Sequence, residues 1–201
     1  MISMSGASFG MPAQPNRHEG LDPRHSPQAA STDALFMEQA EIVAVTDFRE
    51  AMARLGAAVN IITTDGPAGR HGMAASAVCS VSDSPPTVLA CINRASATNA
   101  AFKTNGVLCV NILASRHKDL CGRFSTRGLS SGERFADADA WRPMGSGAPA
   151  LIDAPAVLDC RITEVSEVGS HSVFFCQVLD IRLHDQAECL VYFQRRFIPV
   201  V

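Results

Sequence analysis

A cluster of hydrogen-bond donors lies in the middle of the sequence, directly after an apolar segment and directly before a short helical pattern. Its members are Asn93, Arg94, Ser96 and Thr98. Hydroxyl groups, a guanidinium group and the free backbone amides at the start of a helix together suit a phosphate or another small anion. A buried hairpin that ends in a polar turn has the same composition, so this segment by itself leaves both interpretations open.

The segment before this cluster favours close contact between its backbone and a flat ligand. Small residues fill positions 74–77, where a predicted strand carries almost no side-chain bulk. Pro85 and Pro86 then interrupt the strand pattern, because proline lacks a backbone donor and restricts the residue before it. The sequence therefore predicts two strands joined by a tight corner, with the donor cluster at the end of the second strand.

The rest of the chain predicts a mainly β protein that positions this segment. Strands are expected at residues 57–64, 107–113, 156–168, 173–183 and 189–193. The alternating pattern after residue 156 is interrupted before Val165, which indicates a β-bulge. Few helices and no alternation of strands with helices favour an antiparallel β-barrel with a few short covering helices.

A short helix is expected ahead of the first strand. Asp47 and Glu50 have the spacing of a capping box, and Phe48, Met52 and Leu55 follow at helical intervals. These apolar residues are expected to pack one side of the helix against the sheet.

Two polar features in the second half of the sequence could have either a structural role or a ligand-binding role. Asn111 is the only polar residue of its predicted strand, and a buried amide must bond to a neighbouring turn or face a ligand. The structural role is slightly favoured. Residues 125–150 are polar and rich in glycine, and a segment of this length is typical of a lid over a binding site.

Size and composition limit the class of protein. With 201 residues, of which 47% are hydrophobic, the chain can form one domain with a substantial core, expected over residues 45–201. Residues 1–44 lack a sustained apolar period and are expected to form a disordered extension. The net charge of -3 and the scattered basic residues exclude an extended electrostatic surface for nucleic acid.

Cysteine content and hydropathy indicate a location. The seven cysteines contain no C-x-x-C pair and most lie in apolar strand patterns, so we expect buried, reduced thiols. A disulfide framework and a metal site are not expected. No apolar run approaches the length of about 18 residues that a membrane-spanning helix needs. These features predict a cytoplasmic protein that neither binds a metal nor enters a membrane.

Four segments of the sequence resemble, in order, the flavin reductase family, whose members are built on the FMN-binding split barrel. They are DFREAMARLGAAVNIITTDGPAGRHGMAASAVCSVSDSPPTVLACINRAS, VLCVNIL, VGSHSVFFCQV and LVYFQRRF, and they span roughly residues 46–198. Within the family, GAAVNIITTDGPAGR and SAVCSVSDSPPT are most similar to the FMN reductases of bacterial pyrimidine utilisation. The resemblance implies an antiparallel split β-barrel.

The resemblance also implies an activity, which is NADH-dependent reduction of FMN. The reduced flavin would pass to a partner monooxygenase in pyrimidine (uracil) degradation. Because the cofactors carry the electronic work, no catalytic residue is required beyond those that position them. This agrees with a sequence that lacks a convincing Ser-His-Asp, Cys-His or paired-carboxylate arrangement. A ligand on the outer strands leaves apolar surface to be covered, so we expect a homodimer.

Residue by residue, the resemblance implies a flavin ring along one strand and a phosphate at the donor cluster. The implied flavin-binding residues are Ala75, Ser76, Ala77, Ser80, Ser82, Asn93, Arg94, Ser96 and Thr98. The nicotinamide side is implied for His171, Tyr192 and Phe197. Ala74 departs from the family, whose members commonly carry threonine there, so one hydrogen bond to the flavin is absent and the affinity is lower by roughly 1 kcal/mol.

Two other functions fit the same fold. A non-enzymatic flavin-binding protein or redox sensor would retain its flavin. The reductase component of another two-component (aromatic) monooxygenase would differ only in its partner. The small-residue strand and the single phosphate cluster favour a weakly held flavin, which suits a diffusible product better than a permanent prosthetic group.

Overall fold

The computed structural model describes residues 42–185 and 188–200. The extension expected at residues 1–44 lies almost wholly outside the described residues. Across the two described ranges, no helix is long and apolar enough to cross a membrane.

The described chain contains four α-helices and twelve strands. In chain order they are α1 (Val45–Ala53), β1 (Ala57–Ala58), β2 (Asn60–Thr64), β3 (His71–Ala75), β4 (Val78–Asp83), β5 (Pro86–Asn93), α2 (Asn99–Asn105), β6 (Val107–Ile112), α3 (Lys118–Ser125), α4 (Ser131–Arg134), β7 (Trp141–Pro143), β8 (Pro149–Leu151), β9 (Ala156–Val168), β10 (His171–Leu183), β11 (Cys189–Phe193) and β12 (Arg196–Val200). Two turns of 3-10 helix, Ser115–His117 and Ala138–Ala140, precede α3 and β7.

Seven strands form one antiparallel sheet in the order β3-β2-β6-β9-β10-β5-β4. β1, β11 and β12 form a second antiparallel sheet, and β7 and β8 form a hairpin. The predicted mainly β, antiparallel fold with a few short helices is therefore confirmed. β3, which holds Ala74 and Ala75, is an edge strand of the main sheet and pairs only with β2 among the described strands.

The main sheet carries an apolar core on each face. On one face, Phe102 and Phe174 pack among side chains of β2, β5, β6, β9 and β10. On the other face, Phe124 and Trp141 pack in a cluster that includes Ile61 of β2. β2 is buried along its whole length because its successive side chains enter the two cores in turn. The burial of β2 on both faces holds this strand in place. The pairing of β2 with β3 in turn holds the edge strand.

Two differences from the expected boundaries lie in the chain before β3. The first helix begins at Val45, and Ala44 precedes it without a side-chain cap, so Asp47 lies in the first turn and is not the capping residue. The strand expected at residues 57–64 is divided at Val59 into β1 and β2, which belong to different sheets. The division lets one segment of chain connect the main sheet to the smaller one.

The packing expected for α1 is wrong for its principal apolar residues. Phe48 and Met52 are 55% and 45% exposed, and no residue of the helix is buried. A polar contact holds the helix instead, because the Arg195 guanidinium donates to the Glu50 carboxylate at 2.8 Å. The apolar side of α1 therefore remains at the surface of the chain.

The bulge predicted in the first long strand is confirmed. Glu164 lies opposite Phe175, whereas the next residue of β10, Cys176, lies opposite Ile162. Thr163 is therefore an extra residue in β9.

Asn111 has the structural role that its burial favoured. Its side-chain amide donates to the Ile61 carbonyl oxygen at 3.0 Å, and its side-chain oxygen accepts from the Leu151 amide at 2.7 Å. These bonds satisfy the buried amide and connect β6 to β2 and to β8.

The last strand, β12, was not predicted from the sequence. Gln194 and Arg195 form the turn between β11 and β12, with φ angles of 47° and 59°. Tight hairpin turns with two positive φ angles usually contain Asn or Gly. The Gln-Arg pair therefore gave no sequence signal that the chain reverses here.

Candidate functional site

Among the cavities beside β3, two meet at α3. The first has a volume of about 460 Å³ and the second of about 400 Å³. Met73 lines the first cavity, Ala75 and Ser76 line the second, and Ser125 of α3 lines both. The backbone of β3 therefore runs from the first cavity to the second, and positions 74–76 of the segment predicted to lie against a flat ligand line the second.

The close approach of β3 to α3 depends on Gly72. A Cβ atom at this position would lie 2.7 Å from the Cε1 atom of Phe124, which is too close for two carbon atoms. Phe124 packs in turn on Phe135 and Trp141, with ring centroids 5.0 Å and 5.5 Å away. Because Phe135 and Trp141 are buried, this part of the lid expected at residues 125–150 is core and not a mobile cover.

One wall of the first cavity is the loop between β5 and α2. The Asn93 side-chain oxygen accepts a hydrogen bond from the Ala95 amide at 2.8 Å, which closes a tight turn. The hydroxyl oxygens of Ser96 and Thr98 lie 2.7 Å apart. Asn93, Ser96 and Thr98 all line the cavity, so the donor cluster presents two hydroxyl groups and one amide to it.

Arg94 belongs to the same loop, but its guanidinium group lies against the turn between β9 and β10. Its Nε atom is 3.0 Å from the Glu167 carboxylate, and its Nη1 atom donates to the Gly169 carbonyl oxygen at 3.3 Å. A hydrogen bond from the Lys103 ammonium group lowers the pKa of Glu167, which keeps the carboxylate charged beside Arg94. Arg94 therefore anchors the loop and does not line the cavity.

The opposite wall of the first cavity is the chain at residues 125–128, where α3 ends. Arg134 holds this wall by donating to the carbonyl oxygens of Phe124 at 2.7 Å and Thr126 at 2.9 Å. Arg134 also donates to the Gly72 carbonyl oxygen at 3.2 Å, so the wall and β3 are fixed to each other. No motif in the sequence marks this wall, because a single arginine in a polar segment has no characteristic spacing.

The second cavity lies between β3, α3 and the hairpin of β11 and β12. Tyr192 and Phe197 are paired across this hairpin, with ring centroids 5.4 Å apart and ring planes at 57°. Both side chains are 36% exposed, so their rings form an accessible aromatic surface. Arg195 also lines the cavity, while its guanidinium is paired with Glu50.

The structure brings together some of the residues that the sequence singled out and separates others. Asn93, Ser96 and Thr98 line the first cavity, and Ala75, Ser76, Tyr192 and Phe197 line the second. Ala77, Ser80, Ser82, Arg94 and His171 line neither of them. Ser80 and Ser82 lie on β4, the other edge strand of the main sheet, and the Ser82 hydroxyl accepts a hydrogen bond from the Ser84 amide at 3.1 Å.

His171 lies apart from the aromatic residues with which it was grouped. It is the first residue of β10 and is paired with Asn93 of β5, a residue that lines the first cavity. Its ring is exposed, and Nδ1 lies 2.9 Å from the Ser170 hydroxyl oxygen. Tyr192 and Phe197 line the second cavity instead.

Comparison with known proteins finds consistent matches over this region. The family described as "Flavin reductase like domain" matches residues 52–200. The protein named FMN reductase (NADH) RutF from Variovorax paradoxus (strain S110) is 53% identical over 151 residues, which cover 75% of this chain and 83% of that protein.

Two solved structures are similar to this chain along most of its length. The ycdh protein of Haemophilus somnus 129PT, described as a flavin reductase, is 44% identical with a TM-score of 0.75, and the match covers 79% of this chain and all of the other. BorF, the flavin reductase component of a bacterial two-component tryptophan halogenase, is 25% identical with a TM-score of 0.73. That match covers 78% of this chain and 98% of BorF.

Proposed function

Because the chain belongs to the family of flavin reductase-like domains, we propose that it is an FMN reductase that uses NADH as its electron donor. The reduced FMN is released to a partner monooxygenase. The similar protein from Variovorax paradoxus bears the name FMN reductase (NADH), which supports both the flavin and the donor.

The observation that carries this proposal is the pair of cavities joined along β3. FMN combines a flat ring system with a phosphate at the end of a flexible chain. The hydroxyl groups of Ser96 and Thr98 in the first cavity suit the phosphate. The short side chains of Ala75 and Ser76 leave the backbone of β3 open to a ring in the second cavity. The donor chemistry and the small residues therefore fit the two ends of the same ligand.

The flavin and the nicotinamide supply the hydride-transfer chemistry, and the residues of this chain bind and orient them. We assign Tyr192 and Phe197 to the nicotinamide side, because their paired rings give the second cavity an apolar wall. His171 keeps the nicotinamide-side role that the family resemblance implies. Its exposed ring supports this assignment, since it is accessible to a bound dinucleotide.

The proposed product is free reduced flavin, which a second enzyme consumes. The name of BorF as the reductase component of a two-component system supports a separate flavin-using partner. On the resemblance of its strand segments we propose a monooxygenase of pyrimidine degradation as that partner.

We also propose a cytoplasmic location, because that compartment keeps thiols reduced and all seven cysteines are free.

A homodimer is proposed on the apolar surface that the chain leaves uncovered. Phe48 and Met52 of α1 are exposed, and so are Phe197, Ile198 and Val200 of β12. Large apolar side chains gathered on two neighbouring elements mark interaction surfaces, and a twofold copy is the commonest partner. Light scattering at micromolar concentration tests this proposal, and a fully active monomer would contradict it.

The reductase activity is tested by mixing purified protein, FMN and NADH under air and following the absorbance of NADH. We expect oxidation well above that of a blank with FMN and NADH alone, and none above background when FMN is omitted. FMN binding without NADH oxidation above the blank would contradict the reductase and favour a flavin-binding protein on the same fold.

A further inference from the structure

Three arginines lie near the first cavity, and two of them have their guanidinium groups in use. Arg94 is paired with Glu167 and with the turn between β9 and β10. Arg134 donates to the carbonyl oxygens of Gly72, Phe124, Thr126 and Leu129, so most of its N–H donors are committed to the backbone around it. These contacts fix the direction in which both guanidinium groups lie, and Arg94 does not line the cavity.

Arg127 differs from both. It lines the first cavity and is exposed, and its side chain makes no hydrogen bond or ion pair with any residue in the described part of the chain. Gly128 follows it with a φ of 83°, a left-handed conformation that reverses the chain directly after the arginine. Its guanidinium group is therefore a free cation at the edge of the cavity.

The backbone that carries Arg127 is held on its N-terminal side. The Thr126 hydroxyl donates to the Gly122 carbonyl oxygen at 2.9 Å, and Arg134 donates to the Thr126 carbonyl oxygen at 2.9 Å. Because the backbone is already held, anion binding orders only the Arg127 side chain and not the loop that carries it. Arg134 therefore positions the wall, and the Arg127 side chain can contact a ligand.

The charges of the residues that line the first cavity favour the binding of an anion. None of the described residues that line the cavity is acidic, whereas Arg127 and Arg134 both line it. Ser96 and Thr98 also line the cavity, but their hydroxyl groups bond to each other and Thr98 donates to the Met73 sulfur at 3.2 Å. A hydroxyl group that turned to an anion would exchange one of these bonds, whereas Arg127 offers N–H donors that are not yet engaged. A guanidinium group suits a phosphate because it presents several donors in one plane.

We propose that Arg127 binds the phosphate monoester of the flavin and thereby sets the preference for FMN over riboflavin, which lacks the phosphate. This inference rests on the proposed function and moves to Arg127 the guanidinium role that the sequence assigned to Arg94. Arg94 instead positions the loop that carries Ser96 and Thr98, through its contacts with Glu167 and Gly169.

The test measures dissociation constants for FMN and riboflavin by the change in flavin fluorescence, in the wild type and in four variants. Arg127→Gln should weaken FMN binding about tenfold, a typical loss for one charge-assisted hydrogen bond, and change riboflavin binding by less than about twofold. Arg127→Lys should retain most of the FMN preference. Arg123→Gln, an exposed arginine of α3 that does not line the cavity, should leave both constants unchanged. Arg94→Gln should impair FMN less than Arg127→Gln does.

Three results would overturn the inference. The first is unchanged FMN binding in Arg127→Gln, and the second is equal weakening of FMN and riboflavin, which would assign Arg127 to the fold. The third is a selective loss of FMN in Arg94→Gln alone. In each of these cases, NADH oxidation by the wild type with FMN would leave the proposed function standing. A wild type that binds neither flavin and oxidises no NADH would contradict both.

Discussion

The two cavities beside β3 are assembled in different ways. The first is lined mainly by two short stretches of chain, residues 93–98 without Arg94 and residues 124–128, together with Met73 and Arg134. The second combines Val59, residues 74–76, Cys121 and the hairpin of β11 and β12, which are far apart in the sequence. A polar group of residues that is contiguous in the chain can be recognised before the fold is known, whereas a cavity made from distant segments depends on packing.

The two cavities are also expected to bind different parts of a flavin. The first cavity supplies hydroxyl and guanidinium donors, which should discriminate between flavins with and without a phosphate. The second supplies the small residues of β3, which should contribute equally to every flavin that carries the same ring, and the aromatic pair assigned to the nicotinamide. Substitutions in the two cavities should therefore have separable effects.

The largest effect is expected from removal of the donors in the first cavity. The double substitution Asn93→Ala with Ser96→Ala should weaken FMN binding by about 3 kcal/mol, on the order of a hundredfold, because two polar contacts with a charged group are lost. Binding of lumiflavin, which lacks the phosphate chain, should be nearly unchanged in the same titration.

The matched control is the double substitution Ser80→Ala with Ser82→Ala. These serines lie on β4 and line neither cavity, so both flavins should bind as they do to the wild type. If the first pair weakened FMN and lumiflavin equally, the two cavities would not divide the ligand as described.

An intermediate effect is expected for His171, which is paired with the cavity-lining residue Asn93 but is assigned to the nicotinamide. His171→Ala should raise the Michaelis constant for NADH or lower turnover by about tenfold, equivalent to about 1.4 kcal/mol of lost positioning. FMN affinity should change little. Weaker FMN binding with unchanged NADH kinetics would instead make His171 part of the first cavity.

The smallest effect is a gain of affinity in the second cavity. Ala74→Thr restores the hydroxyl that the family commonly has at this position, and Ala74 lines the cavity. One added hydrogen bond to the ring should tighten FMN and riboflavin alike by roughly 1 kcal/mol, about fivefold. Ala74→Val has nearly the same shape without the hydroxyl and should give no gain. A gain for FMN alone would mean that position 74 contacts the phosphate end.

The features that could be predicted from the sequence are those with a local cause. The turn at Asn93 and the donors at Ser96 and Thr98 follow from residue types within a few positions of each other. The bulge at Thr163 follows from an interruption of the alternating pattern, and the buried amide of Asn111 had to be bonded within the fold.

The features that could not be predicted depend on contacts between distant segments. Arg94 lies within the donor cluster in sequence, but its side chain is drawn to Glu167, which only the pairing of β5 with β10 brings near. Arg127 has no neighbouring motif, and its position on the cavity follows from the bonds that Arg134 makes to the backbone. The exposure of Phe48 on α1 also has no sequence signal, because its spacing is that of a packed helix.

A structure of the protein with FMN bound would locate both ends of the ligand at once and so show whether the two cavities divide it. We expect the phosphate in the first cavity, within hydrogen-bond distance of the Ser96 and Thr98 hydroxyl groups, and the ring in the second cavity along residues 74–76. A phosphate in the second cavity beside Arg195, with the ring in the first, would show that this division of the ligand is wrong.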